Sequence, residues 1–271
     1  MTLKKYIIRA LFFVGFSFLA SSFSTKSEDY SIKNTTFDRG EKIVYRLHYG
    51  LVTGGYPVLK VYDKDYTSGG VPCHKIEVYG KSTGLVDKLF GVKDTWRSYV
   101  DTTTMLPKLA YRNIKEGDYK LKETSYMNRG TGQVQVKRVR NGETKTKFYD
   151  TPEGIHDIVS GFYYFRNVDW ANKSVGSSVT IKAFFENELF TIKVVYDSKV
   201  ILKTRLGKIT AYKLVPEVPD NDLFDGEDSI AFYLSADENK IPLKIKAEMF
   251  VGSIELDIIS HENLRHPIDF D

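Results

Sequence analysis

Residues Leu243 to Ile258 read LKIKAEMFVGSIELDI, in which apolar and charged residues alternate on both sides of a Gly-Ser pair. Alternation with a period of two places successive side chains on opposite faces of a β-strand. A glycine followed by a small polar residue fits a tight type II′ turn. The stretch therefore predicts two antiparallel strands joined as a hairpin, with one face of the pair in water.

The same pattern recurs along the chain. Residues Lys42–Tyr49 alternate in the same way, and Asn141-Gly142 separates two further runs, Gln133–Arg140 and Glu143–Tyr149. Asn-Gly supplies the positive φ angles of a two-residue type I′ turn. Because hairpin follows hairpin, and parallel strands would need crossovers of a dozen residues or more, we predict a mainly β fold. We expect a curved antiparallel sheet or half-barrel with one or two short helices packed on it.

Two segments interrupt the alternation. Thr151-Pro152-Glu153 combines a helix N-cap, a proline at the first helical position and an acid in the first turn, which predicts a helix from Thr151 to about Arg166. Its apolar stripe consists of Ile155, Ile158, Val159, Phe162 and Phe165. The connection Ser82–Val92 is unusually apolar and predicts a short helix or compact loop with Leu85, Val86, Leu89 and Phe90 on one side.

Two distant segments resemble each other. Ser98–Leu109 and Leu234–Lys244 both read as a strand, an aspartate, a polar turn, an aliphatic-proline pair and a second strand. Proline is tolerated where a strand begins. We interpret them as two related strand-turn-strand units of one continuous sheet; chance similarity is the alternative.

The first residues predict export. Lys4, Lys5 and Arg9 precede an apolar run, Ala10–Ala20, and serines follow at the two positions that a signal peptidase reads, Ser22 and Ser24. This is the layout of a secretory signal peptide, and the run is too short to span a bilayer. We therefore divide the chain into a signal peptide (1–24), a flexible arm (25–40) and a single antiparallel β domain (41–271). No later stretch reaches transmembrane length, and without the signal the chain is nearly neutral, which argues against nucleic acid as a partner.

The sequence lacks the motifs of common enzymes. His156, Asp157 and Ser160 are residue types of serine hydrolases, but no Gly-x-Ser-x-Gly surrounds the serine. Cys73 and His74 are neighbours on a predicted strand and so point to opposite faces. We expect no catalytic residue, no enzymatic activity and no cofactor.

Two segments with metal-ligand residue types also fall short. His261 and His266 are five residues apart, whereas a zincin places its two histidines four apart on one helix face. An EF-hand loop starting at Asp220 would have Phe224 and Ala231 at ligand positions. We therefore expect no metal site.

Several stretches together carry a family resemblance. They are Gly40–Tyr45 with Gly54-Gly55, Ser82–Leu85, Ser98–Asp101 running to Pro107, Asp157–Ser160 with Tyr164–Arg166, and Leu234–Pro242 ending at Gly252. In this order the chain resembles the bacterial family called domain of unknown function 3108. The resemblance implies an exported envelope protein of Gram-negative-type bacteria, located in the periplasm or outer envelope, and it implies no activity or catalytic residue. The layout is also similar to that of periplasmic lipoprotein carriers, which fold as half-barrels over an apolar cavity.

These observations favour a non-enzymatic envelope protein. One hypothesis is that it binds or carries an apolar ligand, such as a lipid or a lipoprotein acyl chain; the alternative is an interaction or assembly protein with a filled core, whose partner is another envelope protein. The first hypothesis predicts an apolar pocket between the two interrupting segments. Its candidate ligand-binding residues are Leu85, Val86, Leu89, Phe90, Ile158, Phe162 and Phe165.

Overall fold

A computed structural model describes residues 32–140, 142–217, 229–249 and 251–271. The predicted signal peptide and the acidic run Asp220–Asp228 lie outside these ranges. These residues form a large, open, antiparallel-dominated sheet with two α-helices, which confirms the predicted fold class. Neither helix is long and apolar enough to cross a membrane.

The bounds of the elements are as follows. The first half of the sheet contains β1 (Lys42–Tyr49), β2 (Val52–Gly55), β3 (Val58–Val61), β4 (Tyr66–Ser68), β5 (Val71–Lys81), β6 (Lys93–Asp101), β7 (Pro107–Glu116), β8 (Tyr119–Asn128), β9 (Gln133–Arg140) and β10 (Glu143–Asp150). The second half contains β11 (Ile155–His156), β12 (Ser178–Phe185), β13 (Glu188–Lys203), β14 (Lys208–Pro216), β15 (Ile230–Ser235), β16 (Pro242–Glu248) and β17 (Ser253–Glu262). The helices are α1 (Gly84–Phe90) and α2 (Ile158–Asn167), and a 3₁₀ turn follows at Trp170–Asn172.

Strand β1 joins two meanders into one sheet. On one side it pairs with β2 and β3, and the sheet continues through β5, β6, β7, β8 and β9 to β10. On the other side it pairs with β17, and the sheet runs back through β16, β15, β14 and β13 to β12. The short β11 adds a parallel pair at that edge. The edge strands β10 and β11 are not paired with each other in the part of the chain that is described.

The two similar sequence segments form equivalent units. In the β6–β7 and β15–β16 connections, an aspartate (Asp101 or Asp237) accepts a backbone N–H from the residue two positions later. A residue with positive φ (Met105, 59°, or Lys240, 45°) then precedes the aliphatic-proline pair. Each unit also carries a register shift where the second strand begins. The related strand-turn-strand units of the sequence are therefore real structural repeats within one sheet.

Helix α2 lies on the concave face but begins later than predicted. Residues Thr151–Gly154 form a turn and Ile155 joins the sheet, so the predicted start at Thr151 was wrong. Asp157 is the N-cap: its side chain accepts the N–H groups of Val159 and Ser160, and the Ser160 hydroxyl accepts the N–H of Asp157. Such a capping box satisfies otherwise unpaired backbone N–H groups. The helix therefore begins after Asp157 and not at the Thr151-Pro152 pair.

The helix packs closely on the sheet at Gly161, where a Cβ atom would come within 2.8 Å of Ile181 Cδ1.

Residues 32–40 differ from the predicted flexible arm. Thr36 and Phe37 are fully buried, and the Phe37 ring meets the Tyr163 ring edge-on at 4.7 Å. The Thr35 N–H donates to Asn167 at 2.9 Å. The described part of this segment therefore covers one end of α2.

Candidate functional site

The concave face of the sheet is filled by side chains. Val159 and Tyr163 of α2 belong to one buried cluster with apolar residues from both meanders. A cleft beside the N-terminus of α2 encloses about 30 Å³, and a second cleft near Pro152 encloses about 10 Å³. Small-molecule sites usually measure roughly 300–1,000 Å³, so neither cleft has room for an acyl chain.

An arginine occupies the larger cleft. The Arg112 guanidinium lies 5.5 Å from the Trp96 ring centroid and 4.9 Å from that of Phe185. It donates to Glu123 at 2.7 Å and to Glu186 at 3.1 Å. Arg112 and Glu123 are both buried. The group joins the β12–β13 turn to β7 and β8, and it places charged side chains among the apolar residues that line the cleft.

A buried ion pair fixes α2 to the first strand. The Arg166 guanidinium donates to both carboxylate oxygens of Glu41, at 2.6 and 2.8 Å. The Tyr163 hydroxyl donates to Glu41 at 3.2 Å, and Arg166 also donates to the Asn239 carbonyl at 3.1 Å. Both ionised side chains are fully buried. Glu41, Arg166 and Asn239 are far apart in the sequence, and the fold brings them together beneath α2.

The hydrolase-type residues meet in a structural role. His156 Nδ1 lies 3.3 Å from Ser160 Oγ, and Asp157 accepts a hydrogen bond of 2.5 Å from Ser98. All four side chains are buried, and the Ser160 hydroxyl is used in the capping box. Burial lowers the pKa of His156 to about 3, with a smaller effect from Arg129, and burial raises the pKa of Asp157. The serine has no exposed face that a substrate could approach.

Cys73 is also placed as a core residue. It is buried, its thiol donates to the Val71 carbonyl at 3.3 Å, and burial raises its pKa. The raised pKa disfavours the thiolate, which is the reactive form.

The structure brings together three residues of metal-ligand type, of which the histidine is far from the two carboxylates in the sequence. His48 Nε2 lies 2.7 Å from Asp257 and 3.9 Å from Glu255 on neighbouring strands. The Lys244 ammonium lies 2.5 Å from Glu255 and 3.3 Å from Asp257. The lysine therefore forms ion pairs with both carboxylates, and its positive charge opposes the binding of a cation between them.

Helix α1 is held in a fixed position at the rim of the sheet. The Ser82 hydroxyl donates to Asp87 at 2.6 Å and accepts the Val92 N–H at 2.8 Å, which ties the ends of the segment together. Gly55 of β2 packs on its base, where a Cβ atom would lie 2.4 Å from the Lys81 carbonyl oxygen. The helix nevertheless has no buried residue.

The apolar side chains of α1 face water. Leu85 and Leu89, one turn apart on the same helix face, are 63% and 56% exposed. Val86 and Phe90 are half-buried. The predicted arrangement, in which these four residues border an apolar pocket, does not form among the described residues. The small size of the segment explains this, because its seven residues form only about two turns, lie between the ends of β5 and β6, and pack mainly on β2.

Neighbouring turns extend this apolar surface. Leu51 in the β1–β2 turn is 97% exposed, and Val251 in the β16–β17 turn is 76% exposed. The Tyr49 hydroxyl donates to the Val251 carbonyl at 2.6 Å and so links the two turns. We call Leu51, Val52, Leu85, Leu89 and Val251 the apolar rim.

The predicted ligand-binding residues are thus divided between two places. Leu85, Val86, Leu89 and Phe90 lie at the rim, whereas Ile158, Phe162 and Phe165 lie on the concave face. Ile158 lines the larger of the two clefts, Phe162 packs edge-on against Phe232 at 5.9 Å, and Phe165 belongs to a core cluster with Trp170. Sequence reasoning missed Leu51 and Val251; the available signal was a large apolar residue at the tip of a hairpin.

Comparison with solved structures supports the fold. The chain is similar to a β-barrel-like protein of a domain of unknown function, DUF1849, from Brucella abortus, with a TM-score of 0.56 and 11% identity over 84% of this chain and 99% of that chain. A Bacteroides fragilis protein described as exported, with a YmcC-like fold, gives a TM-score of 0.33 and 11% identity over 85% and 99%. A protein from Parabacteroides distasonis described as a lipoprotein gives 0.30 and 10% over 85% and 100%. The first comparison indicates a shared fold, and a fold does not by itself establish function.

Comparison with known sequences identifies the family. No curated protein matches the chain. A family model described as "Protein of unknown function (DUF3108)" matches residues 44–259, which include all strands from β2 to β16. The resemblance inferred from the sequence is therefore confirmed, and the chain belongs to the DUF3108 family.

Proposed function

We propose that this is a non-enzymatic, exported protein of the bacterial cell envelope that acts through its surface, by way of the apolar rim. The observation that carries the proposal is the fixed helix α1, which presents Leu85 and Leu89 to water at the end of a sheet whose interior is filled. Burying such a side chain stabilises a protein by roughly 1.5–3 kcal/mol. In the isolated chain the side chains of the rim do not contribute this stabilisation. A partner that covers the rim would gain it as binding free energy.

The filled interior supports a surface role over ligand carriage. A carrier would have to place an acyl chain on the concave face, where α2 now lies. Removing α2 would separate Glu41 from Arg166 and expose the cluster around Tyr163. The exposure of this apolar cluster and the loss of the Glu41–Arg166 hydrogen bonds both oppose such an opening.

Native mass spectrometry of protein purified from its host tests the absence of an internal ligand. We expect the mass of the polypeptide alone, both before and after lipid extraction. A lipid bound in a one-to-one ratio that survives gentle purification would overturn the proposal in favour of a carrier.

Photo-crosslinking in cells tests the surface role. A photoreactive residue at Leu89 should crosslink to an envelope component, whereas the same residue at Ile201 should not. Ile201 is a matched control, because it is 64% exposed and lies at the opposite end of the sheet. Equal crosslinking at both positions, or none at Leu89, would contradict the proposal.

A further inference from the structure

We infer that the partner of the apolar rim is the surface of a phospholipid bilayer that contains anionic headgroups. This inference rests on the proposed function and names the partner of the same surface. It is carried by three observations: the shape of the rim, its rigidity and the lysines around its base.

The rim is a row of projecting tips. Leu51 and Val251 stand on adjacent hairpin turns, since β1 pairs with both β2 and β17 at this end. Leu85 and Leu89 stand on α1, whose base is bridged to β2 between Gly55 and Ser82. A standard protein interface buries about 800 Å² on each partner and usually has a continuous, closely packed centre. Separate apolar tips on neighbouring turns are better suited to enter the fluid boundary between headgroups and acyl chains, where interfacial segments insert about 5–10 Å.

The tips are ordered before any contact is made. The β1–β2 turn is held by the Arg46 Nε donating to Thr53 at 2.9 Å and by His48 Nδ1, 2.8 Å from the Gly50 carbonyl. The β16–β17 turn is held by Tyr49, and α1 by Ser82. Since the segments do not have to be ordered on binding, little conformational entropy is lost.

A group of lysines surrounds the base of α1. Lys81, at the end of β5, lies opposite Lys93, at the start of β6, and Lys88 lies on the helix next to Leu89. All three are exposed, and none lies within 4.0 Å of a carboxylate in the described ranges. The acid of the same helix, Asp87, is engaged by the Ser82 hydroxyl. Apolar tips with cations beside and behind them match a bilayer in which lipid phosphates lie above the acyl chains.

Vesicle co-sedimentation with the mature protein tests this inference. Vesicles contain phosphatidylethanolamine with phosphatidylglycerol in one arm and phosphatidylcholine alone in the other. We expect binding to the anionic vesicles, weaker binding to the neutral ones, and a decrease in affinity as salt is raised, because salt screens exposed charges.

Variants test the apolar side chains of the rim and the neighbouring lysines separately. Leu85→Asp with Leu89→Asp should lower the affinity by at least about 100-fold, since two apolar side chains no longer enter the membrane. Ile201→Asp, at the opposite end, should change it less than about twofold. Lys81→Gln, Lys88→Gln and Lys93→Gln together should lower affinity for anionic vesicles by roughly 100-fold, while the same change at Lys199, Lys203 and Lys208 removes equal charge and should have a small effect.

Two results would overturn the inference. One is wild-type protein that binds neither kind of vesicle; the other is equal loss of binding in the rim variants and in their matched controls. If the protein ignores vesicles but Leu89 crosslinks to an envelope protein in cells, bilayer docking is refuted and the surface role stands. If a lipid is found inside the protein, the surface role fails whatever the vesicles show.

Discussion

Replacing Glu41 by glutamine should destabilise the protein strongly, although the side chain keeps its shape. Glu41 accepts three hydrogen bonds, two of them from the Arg166 guanidinium, and both side chains are inaccessible to solvent. The variant leaves a cation buried without its counter-charge. For such pairs the loss is typically about 3–5 kcal/mol, and urea unfolding followed by tryptophan fluorescence would measure it.

Two further variants make the measurement specific. Arg166→Met combined with Glu41→Gln removes both charges, and apolar replacement of a whole buried pair is often close to neutral. We therefore expect the double variant to be more stable than Glu41→Gln alone, which gives a favourable coupling between the two positions in a double-mutant cycle. The control is Glu262→Gln, which breaks the exposed pair with Lys42 at 2.7 Å and should cost at most about 1 kcal/mol.

A cost below about 1 kcal/mol for Glu41→Gln would refute this reasoning. It would mean that α2 does not depend on the ion pair and that water reaches Arg166 in the folded state. The argument that α2 cannot readily leave the concave face would then lose its energetic basis.

Three other predictions follow from single positions. Gly55→Ala should destabilise the protein by about 1–3 kcal/mol in urea unfolding, because its Cβ would meet the Lys81 carbonyl at 2.4 Å, whereas at the neighbouring Gly54 the nearest atom is 3.6 Å away and alanine should be tolerated. Burial lowers the pKa of His156 to about 3, whereas the usual pKa of histidine is about 6.5. Between these two pH values the unfolded chain binds a proton at His156 that the folded chain does not bind. The free energy of unfolding therefore falls as the pH is lowered from about 6.5 towards 3. His156→Gln should remove that contribution, about 2 kcal/mol between pH 6.5 and pH 5, and a variant as acid-sensitive as the wild type would contradict the assignment. Cys73 should react with iodoacetamide only as fast as the protein unfolds, because the buried thiol has a raised pKa; rapid labelling of folded protein would argue otherwise.

Local sequence signals predicted most of the sheet. The Asn141-Gly142 signal corresponds to a two-residue connection in which Arg140 pairs with Glu143, with Asn141 outside the described residues. The repeated aspartate and aliphatic-proline pattern located both strand-turn-strand units, because an Asx turn and a positive φ angle are set by neighbouring residues. The predicted end of α2 near Arg166 agrees with the observed end at Asn167.

Features that depend on contacts between distant residues could not be predicted from the sequence. Thr151 and Asp157 are both good N-cap residues. Asp157 caps the helix in the structure, and Ser98, 59 positions away, also donates a hydrogen bond to it. Glu41 and Arg166 are separated by 125 positions, and nothing local distinguishes them from exposed charges. The leucines of α1 were expected to cover a pocket because apolar residues are usually buried. Exposed apolar patches that bind a partner are an exception to this tendency.

The pairing of β1 with β17 also bears on how the protein folds. Lys42 lies opposite Glu262, so β1, which also pairs with β2 and β3, can pair on its other side only after β17 has been synthesised. Contacts of such high sequence separation slow folding, to milliseconds or longer in all-β domains. Until β17 arrives, one edge of β1 and the core behind it stay open. The sheet of such a chain is therefore completed late, because the pairing of β1 with β17 closes the gap between the two meanders.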